Sequence, residues 1–453
     1  MNRADSTAGL TPAVTDTVRL AQETLNGNWR DGFTVPSARL YPFQWNWDAG
    51  FSGLGFAYFD PARAYEEIRS MFRGQWSNGM VPHIVFHRPN PNYFPGPGEW
   101  LTERSPHAPD GVQTSGITQN PVFGFVLERM AQPLSRSGDP HLEAFLRELF
   151  PKVVAFHRYL YRDRDPDGEG LVYVHHNWES MDNSPLWDDI LARMDVSRAR
   201  DVSALRQDNK RVAAAERPSD ENYKRYLHLV DLLKSVNYEE QRSEAIMPML
   251  VQDVLFNALL IKSNHGLIAV AERLGLDAGE IVAWNRRSIA ALNAKLWDPA
   301  AGCYFSHDLR TGRSIPIKVV GGLMPLFAGA CSPEQARSLV HQLEHSFVPG
   351  PDWNLCPSCA ADEAAFDPVR YWRGPVWVNL NWMLHHGLRR YGFAAQAARV
   401  RETTLRLIER HGMFEYFDPR PVSAGGSDHG LGADAYSWTA ALYLDFVRND
   451  TLL

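Results

Sequence analysis

Three times along the chain, a run of helical periodicity ends in a turn beside a short aromatic segment. Residues 142–161 lead into "DRDPDGEGLVYV", residues 281–297 into "WDPAAGCYFSHD", and residues 393–410 stop near Gly412 and lead into "MFEYFDP". The first helix is written in "DPHLEAFLRELF", where Leu142, Phe145, Leu146, Leu149 and Phe150 recur at helical spacing, with Asp139 as N-cap and Pro140 in the first turn. The same period runs through 244–261, 277–296, 376–391, 393–410 and 436–448. Period-two alternation is not sustained over neighbouring segments, which argues against a sandwich or a propeller. Helical pairs that recur every few tens of residues bury their apolar stripes by closing into a ring of hairpins, with connecting loops at one end. About twelve helices, at roughly 38 residues for each helix and its loop, account for a chain of 453. The expected fold is therefore all-α, a toroid of helical hairpins forming a single domain over residues 1–453.

Two stretches break the pattern. Residues 84–118, beginning "IVFHRPNPNYFPGPGEW", are rich in Pro and Gly, and residues 193–226 are dense in charge and end in "ERPSDENYKRY". Long loops of this kind tend to be lids or disordered links. Tyr223 and Tyr226 favour a lid, because solvated linkers rarely carry such side chains.

A net charge of −7 gives no general attraction to nucleic acid or to an anionic membrane, so neither is expected as a partner. The start "MNRADSTAGLTPAVTD" lacks a basic region followed by an apolar one, and no window is expected to be apolar for long enough to span a bilayer. The cytoplasm is the expected compartment. Cys356 and Cys359 form "CPSC", half of a zinc or redox motif; with Cys303 and Cys331 isolated, a structural role is expected. "DRDPDG" opens like a calcium loop, but its twelfth position falls on Val174 rather than a glutamate, so a tight turn is expected. His385 and His386 lack metal-ligand spacing to a third group, and "GGSDHGLGAD" at 425–434 lacks the strand that precedes a phosphate loop and is expected at a pocket mouth. No metal and no cofactor is expected. Oligomeric state is open, a homo-oligomer included.

The unusual part of the composition is aromatic, with 14 Trp, 16 Tyr and 22 Phe, many in polar company. Four clusters couple carboxylates or amides to Trp or Tyr: "YPFQWNWD" at 41–48, "HNWESMDNSP" at 176–185, "VRYWRGPVW" at 369–377 and "GMFEYFDP" at 412–419. Sugars are recognised by that combination, since their C–H faces pack on rings while their hydroxyls need planar donors and acceptors. The second cluster sets two carboxylates, Glu179 and Asp182, beside Trp178 in a stretch with no periodicity. A core would not take unpartnered acids and a surface loop does not need the tryptophan, so a partly dry pocket is expected.

The motifs "YPFQWNWDAGF", "MFRGQWSNGMVPHIVF", "GITQNPV", "WESMDNSPLWDD", "YWRGPVWVNLNW", "FEYFDP" and "YSWTAAL", spread from residue 41 to 442, resemble glycoside hydrolase family 63, specifically its bacterial hydrolases of glucosylglycerate and mannosylglycerate. "YWRGPVW" and "SWTAAL" are also similar to the related trehalase and invertase families. The resemblance implies an (α/α)6 barrel and inverting hydrolysis of an α-glycosidic bond, with Asp182 as general acid and Glu415 as general base. An acid catalyst must hold its proton near neutral pH; Trp178, Trp187 and Pro185 could desolvate it, and Glu179 could add a like charge. Glu415 is expected to stay ionised. The resemblance further implies a sugar subsite of Tyr41, Trp45, Trp47, Asp48, Trp178, Tyr371, Trp372, Gly374 and Trp377. Tyr93 and Gln119 would meet a glycerate, and Arg217 and Tyr223 would close over its carboxylate, which an arginine's planar fork can pair bidentately. The expected partner is a small anionic glycoside. Another α-glucosidase activity of the same clan, a sugar epimerase or isomerase using paired histidines, and a non-catalytic sugar binder are the competing readings.

Overall fold

A computed structural model describes residues 12–449. The helix Asn46–Phe56 is buried along all of its residues, and a helix without a solvent face must be packed on every side. Its neighbours are the Pro61–Phe72, Phe123–Arg136 and Ser437–Arg448 helices. Contacts then pass from Phe123–Arg136 to Val254–Leu274, to the short Pro325–Ala328, to Val378–Arg390, to Ser437–Arg448 and back to Asn46–Phe56. Other helices lie outside this cycle. Pro12–Asn28 covers Ser437–Arg448, Leu142–Asp163 and Gly279–Ala291 cover Val254–Leu274, and Ala394–His411 covers Val378–Arg390.

Small residues let the inner helices approach. A Cβ on Gly124 would lie 2.0 Å from the Ser263 carbonyl oxygen, and one on Gly266 would lie 2.4 Å from the Gly124 backbone, so the Phe123–Arg136 and Val254–Leu274 helices cross with backbones in contact. Val254–Leu274 is, against expectation, long and apolar enough in composition to cross a membrane, but 83% of that stretch is buried within the structure. Its length and hydropathy are those of a core helix.

The residues just before the inner helices, or in their first turns, gather at one end. Trp45, Trp47 and Asp48 belong to one helix start, Tyr436 and Trp438 to another, and Gln119 lies just ahead of a third. Asp253 caps Val254–Leu274 by accepting from the Phe256 backbone N–H at 3.1 Å. It also accepts from Ser180 Oγ at 2.6 Å and Ser306 Oγ at 2.9 Å. A helix cap thus doubles as an anchor for the 176–185 loop.

Several local expectations needed correction. The helical pattern at 244–261 is broken: Glu240–Ile246 is a short helix, Val251–Gln252 is extended and pairs with Ser306–Asp308, and the long helix begins at Val254. Asp139 is not the N-cap of Leu142–Asp163; it accepts from the His141 N–H in the preceding turn. The 193–226 segment holds three short 3₁₀ turns, but from Asp220 it is the start of the Asp220–Ser235 helix, capped by Ser219. Residues 84–118 contain the Ile84–Val85 strand and the short Pro97–Trp100 and Thr102–Arg104 helices. In "DRDPDG", Asp165 accepts from the Glu169 and Gly170 N–H groups, as a tight turn requires.

Replacing Gly124 by alanine is expected to lower stability by about 2–3 kcal/mol or more through overpacking. Gly98→Ala, with open space around its Cβ position, should stay within about 0.5 kcal/mol of the parent. Thermal or urea unfolding of the two variants checks the crossing.

Candidate active site

The loop carrying the two neighbouring carboxylates assigns them different work. Glu179 is fully buried, and its oxygens accept from the backbone N–H groups of His175 at 2.8 Å, His176 at 3.3 Å and Thr118 at 3.3 Å. Arg164 pairs with it at 3.1 Å and reaches Glu240 at 2.9 Å. Glu179 is a loop anchor and adds no like charge to its neighbour in the sense expected from the sequence. Two further pins hold the loop, the Ser180–Asp253 bond and a 2.7 Å bond from Trp187 Nε1 to the Met181 carbonyl. Asn183 takes a left-handed φ of 58°, which asparagine tolerates, and the carboxyl of Asp182 is turned into a cavity.

Asp182 accepts from Asn177 Nδ2 at 2.7 Å. Burial pushes its pKa up to about 6; Arg217 and Asn177 oppose the rise, and the like charge that adds to it comes from Asp208.

Glu415 follows the helix Ala394–His411 on an extended stretch, with Gly412 at a φ of 92° making the exit. Its Oε1 accepts from the Tyr41 hydroxyl at 2.9 Å and its Oε2 from the Ala433 N–H at 3.0 Å. Burial raises it to about 7, against Arg217, Ala433 and Tyr41. The expected ionised carboxylate is thus disfavoured by burial and favoured by these three partners. The carboxylate is almost wholly removed from water, and Arg217, the cation nearest to compensating it, is also engaged by Asp208 at 3.1 Å. Both Asp182 and Glu415 disfavour ionisation of the Tyr371 phenol, which puts the two carboxyls within electrostatic reach of one ring.

A narrow cavity of about 80 Å³ is lined by Tyr41, Trp45, Trp47, Asp48, Tyr93, Gln119, Trp178, Asp182, Arg217, Tyr223, Tyr371 and Trp372. Glu415 is not among these lining residues and meets the cavity wall through the Tyr41 hydroxyl bonded to its Oε1. Trp377 is also set back, stacked on Trp372 at 3.6 Å with its Nε1 bonded to the Tyr371 carbonyl. Gly374 is a packing residue, because a Cβ there would lie 2.3 Å from the Asp367 carbonyl oxygen. These two positions support the wall and do not form it.

His83, Ser180, Tyr436 and Trp438 complete the lining and were missed as site residues, although all four lie inside motifs quoted above. Tyr436 donates to Asp48 Oδ1 at 3.1 Å, and burial lifts Asp48 to about 8. Burial thus favours the protonated form of Asp48, which can both donate to and accept from a hydroxyl. Arg217 Nη1 donates to the Tyr41 oxygen at 2.8 Å, and its guanidinium lies 4.3 Å from the Tyr371 ring centre. Arg206 holds Asp208 from the other side at 2.8 Å and stacks 4.4 Å above Tyr223. Nothing in the charge-dense sequence distinguished this Arg206–Asp208–Arg217 relay from a solvated surface. The "GGSDHGLGAD" loop, expected at the mouth, supplies the Ala433 N–H that cradles Glu415. Burial pushes the Cys356 thiol up strongly and that of Cys359 up to about 12, so both are inert packing groups.

The sequence profile of the mannosylglycerate hydrolase MGH1-like glycoside hydrolase domain matches residues 41–439. A mannosylglycerate hydrolase of Rubrobacter radiotolerans is 40% identical over 98% of this chain and 99% of its own. A glucosylglycerate hydrolase of Mycolicibacterium hassiacum is 33% identical over 93% of this chain and 96% of its own. The crystal structure of a family 63 mannosylglycerate hydrolase from Thermus thermophilus, in complex with Tris and D-glycerate, superposes with a TM-score of 0.87 at 42% identity, covering 96% of this chain and 100% of that one. The fold and the acidic, aromatic pocket are those of a glycoside hydrolase. The chain belongs to the MGH1-like family of family 63 glycoside hydrolases.

The two loop carboxylates should separate in a stability measurement. Glu179→Gln leaves Arg164 short of a buried partner and is expected to cost about 3–5 kcal/mol. Asp182 has a folded pKa above its unfolded value, so its ionised form destabilises the fold as pH rises through that window. Asp182→Asn is therefore expected to raise the unfolding midpoint at pH 7 while leaving it nearly unchanged at pH 4.

Proposed function

We propose that this chain hydrolyses the α-glycosidic bond of a small anionic glycoside, glucosylglycerate or mannosylglycerate, with inversion. The six-membered cycle of inner helices with its outer helices is read as an (α/α)6 barrel forming one catalytic domain, with 84–118 and 193–226 as lids over the pocket. The four cysteines are unpaired, which suits the cytoplasm as its compartment.

The observation that carries this reading is the pair of carboxyls brought to one pocket, Asp182 on its lining and Glu415 bonded to the lining residue Tyr41, both shifted by burial toward neutral pH. In the proposed reaction Asp182 gives its proton to the glycosidic oxygen as the bond to the anomeric carbon breaks. Glu415 takes a proton from a water whose oxygen bonds to that carbon from the opposite face. Glycerate leaves as the alcohol, the sugar leaves with inverted configuration, and solvent returns one proton to Asp182 and removes one from Glu415. Trp47, Trp372 and Trp438 offer faces for the sugar, and Asp48 a donor and acceptor for its hydroxyls. Arg217 uses Nε for Asp208 and Nη1 for Tyr41, which leaves Nη2 for a glycerate carboxylate. Gln119 Oε1 accepts from the Trp47 N–H at 3.3 Å, so its amide nitrogen can donate alongside Tyr93. The relatives' names and the D-glycerate complex of the Thermus enzyme support the choice of aglycone. A histidine-based epimerase is disfavoured. His83 lines the cavity but burial holds it neutral, and both ring nitrogens of His176 are bonded, to Trp178 N–H and the Tyr226 carbonyl.

Both carboxyls are shifted toward neutrality, so the productive form, with the acid protonated and the base ionised, is confined to a narrow pH window. The expected kcat/KM profile is a bell with breaks near pH 6 and 7, macroscopic values that belong to the pair. Screening α-glucosides and α-mannosides of glycerate, glycerol, lactate and glucose, with NMR of the first-formed anomer, tests the reading. The glycerate glycosides should be preferred and release the β-anomer. Asp182→Asn and Glu415→Gln are each expected to lose about 10²–10⁴-fold in kcat while still binding substrate. A Glu415→Gln variant close to the parent would refute the role of the base.

A further inference from the structure

The two oxygens of Glu415 are held by different parts of the fold, and both holders are gripped by consecutive residues of one segment. On the Oε1 side the holder is the Tyr41 hydroxyl, and Tyr41 is gripped by Arg217. On the Oε2 side the holder is the Ala433 N–H. The residue before it, Gly432, donates its own N–H to Glu216 Oε2 at 2.7 Å. The Glu216 carbonyl in turn accepts from the Tyr416 hydroxyl at 3.0 Å, one residue beyond Glu415. The turn bearing Gly432 presses on the carboxylate: Gly432 has a φ of +71°, and a Cβ there would lie 2.6 Å from Glu415 Oε2. A shift of this turn therefore moves the donor that orients the carboxylate.

We propose that Glu216 is a positioning residue that couples seating of the 203–219 segment to the geometry and proton affinity of the catalytic base. The proposal rests on the reading of Glu415 as base. Seating Glu216 fixes the 431–433 turn, and through Ala433 it fixes Oε2; seating Arg217 fixes Tyr41 and with it Oε1. The base is then fully oriented only when the segment lies down on the pocket. Glu216 also brings a negative charge toward Glu415, which favours the protonated form. The other charged and titratable groups facing Glu415 are Arg217, Asp48 and the phenols of Tyr41, Tyr371, Tyr416 and Tyr436. None of these is altered by substitution at 216. Glu216 itself is half-buried and is not one of the residues lining the pocket, so its effect is exerted through its neighbours.

The test uses Glu216→Gln and Glu216→Ala in the full chain, on the glycoside that the screen above selects. Glutamine keeps an acceptor for the Gly432 N–H but removes the charge. Lowering the proton affinity of the base enlarges the productive fraction on the acid side and leaves the alkaline side unchanged. The ratio of kcat/KM at pH 5 to that at pH 8 is thus expected to rise about threefold for a half-unit shift. Alanine removes the acceptor as well as the charge, so the same rise in the pH ratio is expected together with a fall in kcat of about tenfold, with KM within about threefold of the parent. Thermal midpoints report folding, and if alanine does not fold, the isosteric glutamine carries the test alone. Parental kcat and an unchanged pH ratio in the folded variants would overturn the proposal. Glu415→Gln run in parallel separates the two ideas. If it stays active, the assignment of the base fails; if it is dead while the Glu216 variants behave as the parent, only the coupling fails.

Discussion

The guanidinium of Arg217 acts on two pocket acids at once, the half-buried Asp182 and the buried Glu415, and sets what each can do. Burial alone would push Asp182 and Glu415 further from ordinary carboxylate behaviour, and Arg217 is the largest influence opposing that push at both. The arginine is itself buried, and its charge is sustained by Asp208, Tyr41 and Tyr371. Asp208 is held in turn well down, at about 2, by Arg217 and Arg206 against its burial. The consequence is a pair of carboxyls poised near neutrality rather than one fixed acid and one fixed base. A substrate carboxylate placed on Arg217 would offset that positive charge and raise the proton affinity of both.

This poise needs rigid supports, because a buried charge that can move finds water and loses its shift. Support comes from pairs that carry no chemistry. Arg164 and Glu179 lock the loop ahead of Asp182, and Asp253 ties the same loop to the start of an inner helix. Trp377 backs Trp372, and Gly374 lets the backbone pack against Asp367. A buried ion pair is a poor source of net stability, so the cost of Arg164–Glu179 is best understood through the loop it fixes.

Much of this was legible in the sequence, and the reasons for the remainder are physical. Helical periodicity located the outer helices Leu142–Asp163, Gly279–Ala291 and Ala394–His411 and the inner helices Val378–Arg390 and Ser437–Arg448, because burial leaves a local imprint, but it passed over the inner helices Asn46–Phe56 and Phe123–Arg136. It failed at 244–261, where an apolar pattern continued through a short helix, a two-residue strand and a new helix start. The short strands lie below the length at which alternation can be read. The pocket aromatics were recognisable because Trp and Tyr beside acids is an unusual local composition. The Arg206–Asp208–Arg217 relay and the Glu216–Gly432 contact were not, since nothing local separates a charge bound across the fold from one in water. Glu179 illustrates the same limit. Its type and position suggested chemistry, and only its four partners reveal an anchor.

Carboxyl ¹³C titration of selectively labelled free enzyme, in the parent and in Arg217→Met, tests the central balance most directly. The account predicts midpoints near pH 6 for Asp182 and near pH 7 for Glu415, both moving upward when the guanidinium is removed. Parental midpoints near pH 4, or a shift confined to one of the two carboxyls, would contradict it.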